Sequence, residues 1–459
     1  MDRSTQLGTE PVGKLLLRFS LPAIVGMIVQ SLYNLIDRIF IGQGVGPLGL
    51  AGATVGFPFI LIFMAFGMLV GIGGNSLVSI SLGEKKKDYA EKVLANSLVL
   101  LIGISVVLTI LGLWFIEPLL RIAGASDTIM PYAKDYMSII LLGTVFNSIG
   151  FGMNNFIRGE GNPKVAMLTM LVGAVLNTIL DPLFIFVFDM GIAGAAWATI
   201  ISQTVTAVWV LSYYFGGRSS LKIHTKYFRI EKTILLRILA VGSAPFAMQF
   251  AASIQNTILN SQLQYYGGDN AISVMGIMYS IAMLILMPIF GINQGSQPII
   301  GYNYGAKLYK RVVKTTELAI LAATSVVTLG WLVTRFFSEF IVGAFGGGDP
   351  VFLDLARHAM GIFFFMYPLL GFQIVSANYF QATGKPKQAM FLSLSRQVIF
   401  LIPALLILPR FFGLDGVYGA TPTSDFFAAV VTGILFFTEL RKLRRLEPEV
   451  LGSELPAQS

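Results

Sequence analysis

Apolar segments of about twenty residues or more recur along the chain, divided by short polar connections, and they show no residue-by-residue alternation. About twenty apolar residues suffice for a helix to cross the hydrocarbon core of a bilayer, whereas barrel strands alternate with period two. The pattern predicts an all-α integral membrane protein with twelve transmembrane helices. The spans fall near 20–41, 53–82, 93–116, 134–157, 166–188, 195–215, 238–265, 270–304, 315–338, 353–381, 388–409 and 417–438. Several exceed one crossing, which tilt, kinks or extension beyond the bilayer absorbs. Residues 10–19 predict a short amphipathic helix lying on the membrane surface. The first apolar segment is expected to be retained, because residues 1–19 lack the apolar core and cleavage site of a signal peptide.

The pattern also repeats. Ser20-Leu21-Pro22 matches Ser243-Ala244-Pro245, and Gly161-Asn162-Pro163-Lys164 matches Gly384-Lys385-Pro386-Lys387, both at an offset of 223. The stretch after the second span resembles the one after the eighth, with Gly83 and Gly305 offset by 222. Each match sits at the same point relative to a span, so two six-helix bundles follow. Six is even, so the bundles are related by a pseudo-two-fold along the membrane normal. The expected division is an amino-terminal bundle 1–215, a linker 216–237, a carboxy-terminal bundle 238–440 and a tail 441–459, with substrate bound between the bundles.

Composition agrees: 55% of the 459 residues are hydrophobic and 12% charged, against about 25% charged in soluble domains. The net charge of +8 is a topology signal rather than a nucleic-acid footprint. Most of the 32 lysines and arginines fall in one set of connections, including Lys85 to Lys87, Arg158 with Lys164, the 216–237 stretch, Lys307 to Lys314 and the Arg441 to Arg445 tail. The positive-inside rule puts that set and both termini in the cytoplasm. With no cysteine there is no disulfide, thiolate metal site or cysteine nucleophile.

Two carboxylates break otherwise apolar spans, Asp37 in the first and Asp181 in the fifth. An aspartate at the centre of a spanning helix costs about 2.5–3.5 kcal/mol on insertion scales, so such residues face an interior or a wet cavity and mark proton or cation sites. Gln30, Asn34 and Asp37 are spaced i, i+4, i+7 on one helix face. Asn177 and Asp181 are spaced i, i+4, and Pro182, lacking an N–H, leaves the Thr178 carbonyl free. Asn154 and Asn155 add amides in the fourth span and Thr199 a hydroxyl in the sixth. The plain alternative is that these groups only bond across helices, at about 0.6 kcal/mol each, which suits an amide better than a carboxylate. The repeat supplies a control. Shifted by 223, Gln30, Asn34 and Asp37 become Ser253, Thr257 and Asn260, while Asn177 and Asp181 become Phe400 and Ala404. The fold does not need these carboxylates, and the ion site belongs to the amino-terminal half. Arg38 either neutralises Asp37 or points to the outer surface. Arg396 and Asp425 lie inside the eleventh and twelfth spans, where Arg396 can reach the cytoplasmic face or serve substrate or gating.

Other motifs carry no chemistry. Gly44-Val45-Gly46-Pro47-Leu48-Gly49 fits GxGxxG but follows no strand. Gly346-Gly347-Gly348-Asp349 resembles the GxGD of intramembrane aspartyl proteases without its partner motif. His224 and His358 have no metal-ligand spacing, and no Walker lysine motif occurs.

Leu21-Pro22 opening the first span, Asn34 through Asp37 within it, Gly161-Asn162-Pro163, and Asn177 with Asp181-Pro182 together resemble the multidrug and toxic compound extrusion (MATE) family, over residues 10–440. The resemblance implies a V-shaped pair of six-helix bundles, not an enzyme and without a cofactor. It would export small-molecule drugs or organic cations from the plasma (inner) membrane, as a monomer with no nucleic-acid partner, against inflow of H+ or Na+. The family's cation site falls on Asp37, Asn177, Asp181 and Thr199, with Na+ possible at Asp37, Asn177 and Asp181. Gln30, Asn34, Asn154 and Asn155 belong to the substrate cavity, and Pro22 and Pro182 are the expected hinges. Some members carry acids in the seventh and tenth spans, where this chain has Gln255 and Asn256 and no interior acid. The rival is a lipid-linked oligosaccharide flippase of the same superfamily, which prefers more spans and a strongly basic cavity.

Overall fold

The structure is a computed structural model that describes residues 5–344 and 350–453. Side chains are described there except at 47, 269, 342–344, 350–352 and 444–453. The loop motif Gly346–Asp349 and the end of the tail from residue 454 lie outside the described residues. In the first half the long helices are α1 (Val12–Gly44), α2 (Leu48–Gly83), α3 (Lys87–Trp114), α4 (Met130–Gly159), α5 (Pro163–Val187) and α6 (Gly191–Phe215). In the second they are α7 (Lys232–Gly268), α8 (Asn270–Gly305), α9 (Tyr309–Phe336), α10 (Leu353–Phe363 and Pro368–Ala382, bent by 48°), α11 (Pro386–Phe412) and α12 (Leu414–Ser453). Ten of these are individually long and apolar enough to cross a membrane, and the bent pair makes an eleventh. The twelfth, α12, packs on α10 and α11 to complete the second bundle. No strand occurs among the described residues.

The helices outrun the apolar runs that announce them. Hydropathy ends where lipid ends, but a helix continues until its backbone is punctuated. Thus α4 stops at a Gly161 with φ 99°, and α5 starts on Pro163, placed where its missing N–H is no loss. Residues 12–19 do not form a separate surface helix. They are the opening turns of α1, with Leu15, Leu16 and Phe19 buried. The segment expected as a tail from 441 continues α12 to Ser453.

Left-handed backbone positions record the internal repeat independently of sequence. Gly46 pairs with Gly268, Lys85 with Lys307, Gly161 with Gly384 and Gly191 with Gly413, each offset by 222 or 223. Lysine rarely accepts a positive φ, yet Lys85 and Lys307 share φ 58° at matching turns.

The two halves are pressed together at the end that carries the basic connections. A Cβ added at Gly242 would collide with the Leu69 carbonyl oxygen, and one at Gly305 with that of Ile80, so glycine is what lets the helix backbones touch. Gln297 Nε2 donates to Ser76 Oγ (2.9 Å), and Asn303 Nδ2 to the Leu7 carbonyl (2.9 Å). Towards the opposite end of α1, Leu32, Leu35 and Ile39 are exposed.

The connection between α6 and α7 is strapped across the basic end of the first bundle. Glu160 Oε2 accepts from the Ser220 N–H and hydroxyl (3.1 Å each), and Glu91 Oε1 from the Lys222 N–H (3.0 Å). Asn96 donates to the Tyr227 carbonyl (3.1 Å) and accepts from the Glu231 N–H (2.9 Å). Burial pushes the Glu160 carboxyl above its ordinary range, opposed by hydrogen bonds from Ser219, Tyr213, Ser220 and the Leu221 N–H.

Candidate functional site: a buried acid cluster and its cavity

Helices α1 and α5 bring Asp37 and Asp181 within hydrogen-bonding reach of each other, although the two residues are far apart in sequence. Asp181 is 0% exposed. Asn177, one turn earlier, donates through Nδ2 to Asp181 Oδ1 (3.1 Å) and to Thr199 Oγ1 of α6 (3.4 Å). Tyr33 and Tyr136 stand close enough to both carboxylates to interact with them electrostatically. Directly after Pro182 the helix widens over Leu183–Val187, where the Phe188 N–H reaches the Leu183 carbonyl (3.0 Å). Such widened turns are frequent at functional sites.

The cluster is not self-satisfied. Asp37 Oδ1, Asp181 Oδ2 and Asn177 Oδ1 are all buried without a hydrogen-bond partner. Each unsatisfied buried acceptor costs about 1–3 kcal/mol, and more when charged. Two adjacent carboxylates also repel unless a proton or cation stands between them. The donor set is carboxylate, amide and hydroxyl oxygen without imidazole or thiolate, which suits H+ or a hard cation such as Na+ and fits a transition metal poorly. No group of three or more His, Cys, Asp or Glu placed to hold a metal occurs among the described residues.

A cavity of about 110 Å3 adjoins the cluster, with Asn177 and Thr199 in its wall. That is room for several waters, each needing roughly 10–15 Å3 on this measure. Gln30 and Asn154 line it as well. Asn34 does not: it is exposed, and its Nδ2 bonds the Gln30 carbonyl of its own helix (2.9 Å). Asn154 and Asn155 present their oxygens to Arg158, to Nη1 and Nη2 respectively (2.7 Å each). Pro22 lies within an unbroken α1.

Arg158 is the residue the sequence reading misplaced. Counted there among the connections, it occupies the last turn of α4, is 5% exposed and lines the cavity. The available signal was the Asn-Asn-x-x-Arg spacing, which puts two amides one helical turn before the guanidinium. Arg38 is exposed, with its guanidinium 5.4 Å from the Phe57 ring centre, and it forms no ion pair with Asp37 among the described residues but is close enough to act on it electrostatically. Arg396 does not reach the basic face either. Its Nε donates to Asp425 Oδ1 (2.7 Å), and Ser424 Oγ donates to the Arg396 carbonyl (2.6 Å).

Two bundles of six helices related by an internal repeat, one enclosing an acid cluster beside a cavity, define a membrane protein of the transporter type. Sequence comparison gives the family. The MatE family profile matches twice, over residues 22–183 and 245–406, so the two matches are themselves offset by 223. The chain belongs to the MatE family. It is 26% identical to the multidrug export protein MepA of Staphylococcus aureus (strain MRSA252), over 93% of this chain and 94% of that protein. Among solved structures it resembles the MATE multidrug transporter DinF-BH, at 41% identity and a TM-score of 0.87, covering 94% and 96% of the two chains. It also resembles an outward-facing multidrug resistance MATE family transporter, at 28% identity and a TM-score of 0.89, covering 96% and 98%.

Proposed function

We propose that this protein is a secondary active multidrug efflux transporter, exporting organic cations or amphipathic compounds by antiport with H+ or Na+. The observation that carries this reading is the buried, all-oxygen cluster of Asp37, Asn177, Asp181 and Thr199, with three acceptors awaiting a proton or cation. The names of the related proteins support the drug-export part. The two halves, 1–215 and 238–440, are the moving bodies, and the linker 216–237 joins them. The basic end is cytoplasmic, with both termini, in the plasma (inner) membrane of the cell. On this reading, contact between the halves at that end corresponds to the outward-facing form.

In that form H+ or Na+ enters the cluster, satisfies the orphaned oxygens and removes repulsion between the carboxylates. α1 then repacks against α5, with Pro22 and the widened turn after Pro182 as the compliant points. Coupling follows if ion and drug favour different conformations. A flippase of lipid-linked oligosaccharides would call for a strongly basic cavity, whereas the cavity here is lined by one arginine. The test is a vesicle reconstituted with the protein and loaded with a fluorescent organic cation. A pH gradient or a sodium gradient, applied separately, drives wild-type export, and Asp181→Asn reduces it to the level of protein-free vesicles. Normal gradient-driven export by Asp181→Asn overturns the assignment.

A further inference from the structure

At the end of the cavity nearest the basic connections stands a positive charge with no negative partner. Arg158 is held by Asn154 and Asn155, whose neutral amide oxygens orient the guanidinium without cancelling it. None of the ion pairs among the described residues includes it. Glu160, two residues on, spends Oε2 on the linker at Ser219 and Ser220, and its buried Oε1 bonds neither Arg158 nor any other group among the described residues. Buried charges are ordinarily paired, and an unpaired one is expensive. In a membrane-embedded bundle it marks a use.

The place of this charge suggests what the use is. Along α4 the cavity wall runs from Phe146 to Arg158, about 18 Å at 1.5 Å per residue. Its far part includes Asn177, which bonds both Asp181 and Thr199, and Thr199 itself. A cation leaving the acid cluster for the basic end through this cavity therefore meets the guanidinium last. At an effective dielectric of about 20, a unit charge within about 6 Å disfavours a second like charge by about 100-fold in occupancy. Fixed arginines exclude cations from narrow pores in this way.

The second half again serves as a control. Shifted by 223, Arg158 becomes Gln381, Asn154 becomes Ala377 and Asn155 remains Asn378. The fold closes this end of the second bundle without the charge, and that bundle has no carboxylate pair at the matching positions. Charge and acid cluster occur together, in one half only.

We propose that Arg158 is the electrostatic stop of the cation path. It keeps a proton or Na+ held at Asp37 and Asp181 from passing down the cavity to the basic face, so that release there waits for the conformational change. This rests on the antiport reading, and it assigns Arg158 a coupling role rather than a ligand role.

The experiment measures passive H+ and Na+ flux into vesicles reconstituted with the full chain, without organic cation, alongside gradient-driven export by the same vesicles. Arg158→Gln, the residue the second half carries, raises passive flux at least about tenfold over wild type and lowers drug exported per ion admitted. Asn155→Asp keeps the arginine but sets a carboxylate against it, and it leaks in the same way. The second variant covers the case in which the first fails to fold. Wild-type tightness in a folded Arg158→Gln or Asn155→Asp protein overturns the stop. If wild type itself exports under neither gradient, the antiport reading fails instead, and the leak comparison separates the two outcomes.

Discussion

The two halves share a fold and treat buried charge in opposite ways. In the second half Arg396 and Asp425 lie 2.7 Å apart as an ion pair, with Asp425 1% exposed. In the first half Asp37 and Asp181 face each other with oxygens unsatisfied, and Arg158 faces amides. A pair of opposite charges holds helices together, even though Asp425 Oδ2 keeps no hydrogen-bond partner. Two like charges facing each other retain free energy that a bound proton or cation can release. The repeat makes the contrast informative, because the matched left-handed turns are common to both halves and cannot account for it.

The contrast breaks most visibly in transport. Asp37→Asn should abolish gradient-driven export, while Asn260→Ala, its counterpart at offset 223, stays within about twofold of wild type, as expected where no special contact is lost. Vesicle export assays on the two variants check this, and equal losses would erase the distinction between halves. A second effect lies in stability. Asp425→Leu alone strands a largely enclosed guanidinium and should destabilise by up to about 3–5 kcal/mol, whereas Asp425→Leu with Arg396→Met should be near neutral. Thermal unfolding in detergent, with export measured in parallel, reads both.

A smaller effect concerns the strap over the first bundle, whose Glu160 is matched in the second half by Thr383. Because burial raises the Glu160 pKa in the folded protein, keeping it charged opposes folding. Its protonated form is the favoured one, so wild type gains from this group at low pH and loses that gain as pH rises through the folded pKa. Glu160→Gln should therefore be more stable than wild type at alkaline pH and indistinguishable from it below the ordinary carboxylate range. Melting curves across pH test the sign. The smallest change is expected for Asn34→Ala, since that exposed amide bonds only its own helix. Export should remain within about twofold of wild type.

Much of this was legible in residue order. The spans follow from hydropathy, and the repeat from three matched stretches. Spacing put Asn177 and Asp181 on one face of α5. Helical spacing fixes which residues share a face but not which neighbour that face meets. The same periodicity that grouped Gln30, Asn34 and Asp37 could not say that Gln30 lines the cavity while Asn34 is exposed. Nor could it place Arg158, because hydropathy marks the edge of lipid and not the end of a helix.

By itself the sequence determined that two carboxylates interrupt apolar spans and that both belong to one half, because the cost of burying charge makes each of them conspicuous. Only the tertiary structure decided which buried charges are neutralised. Pairing depends on the rotation and approach of separate helices to within a few ångströms, and no local pattern along the chain encodes that distance.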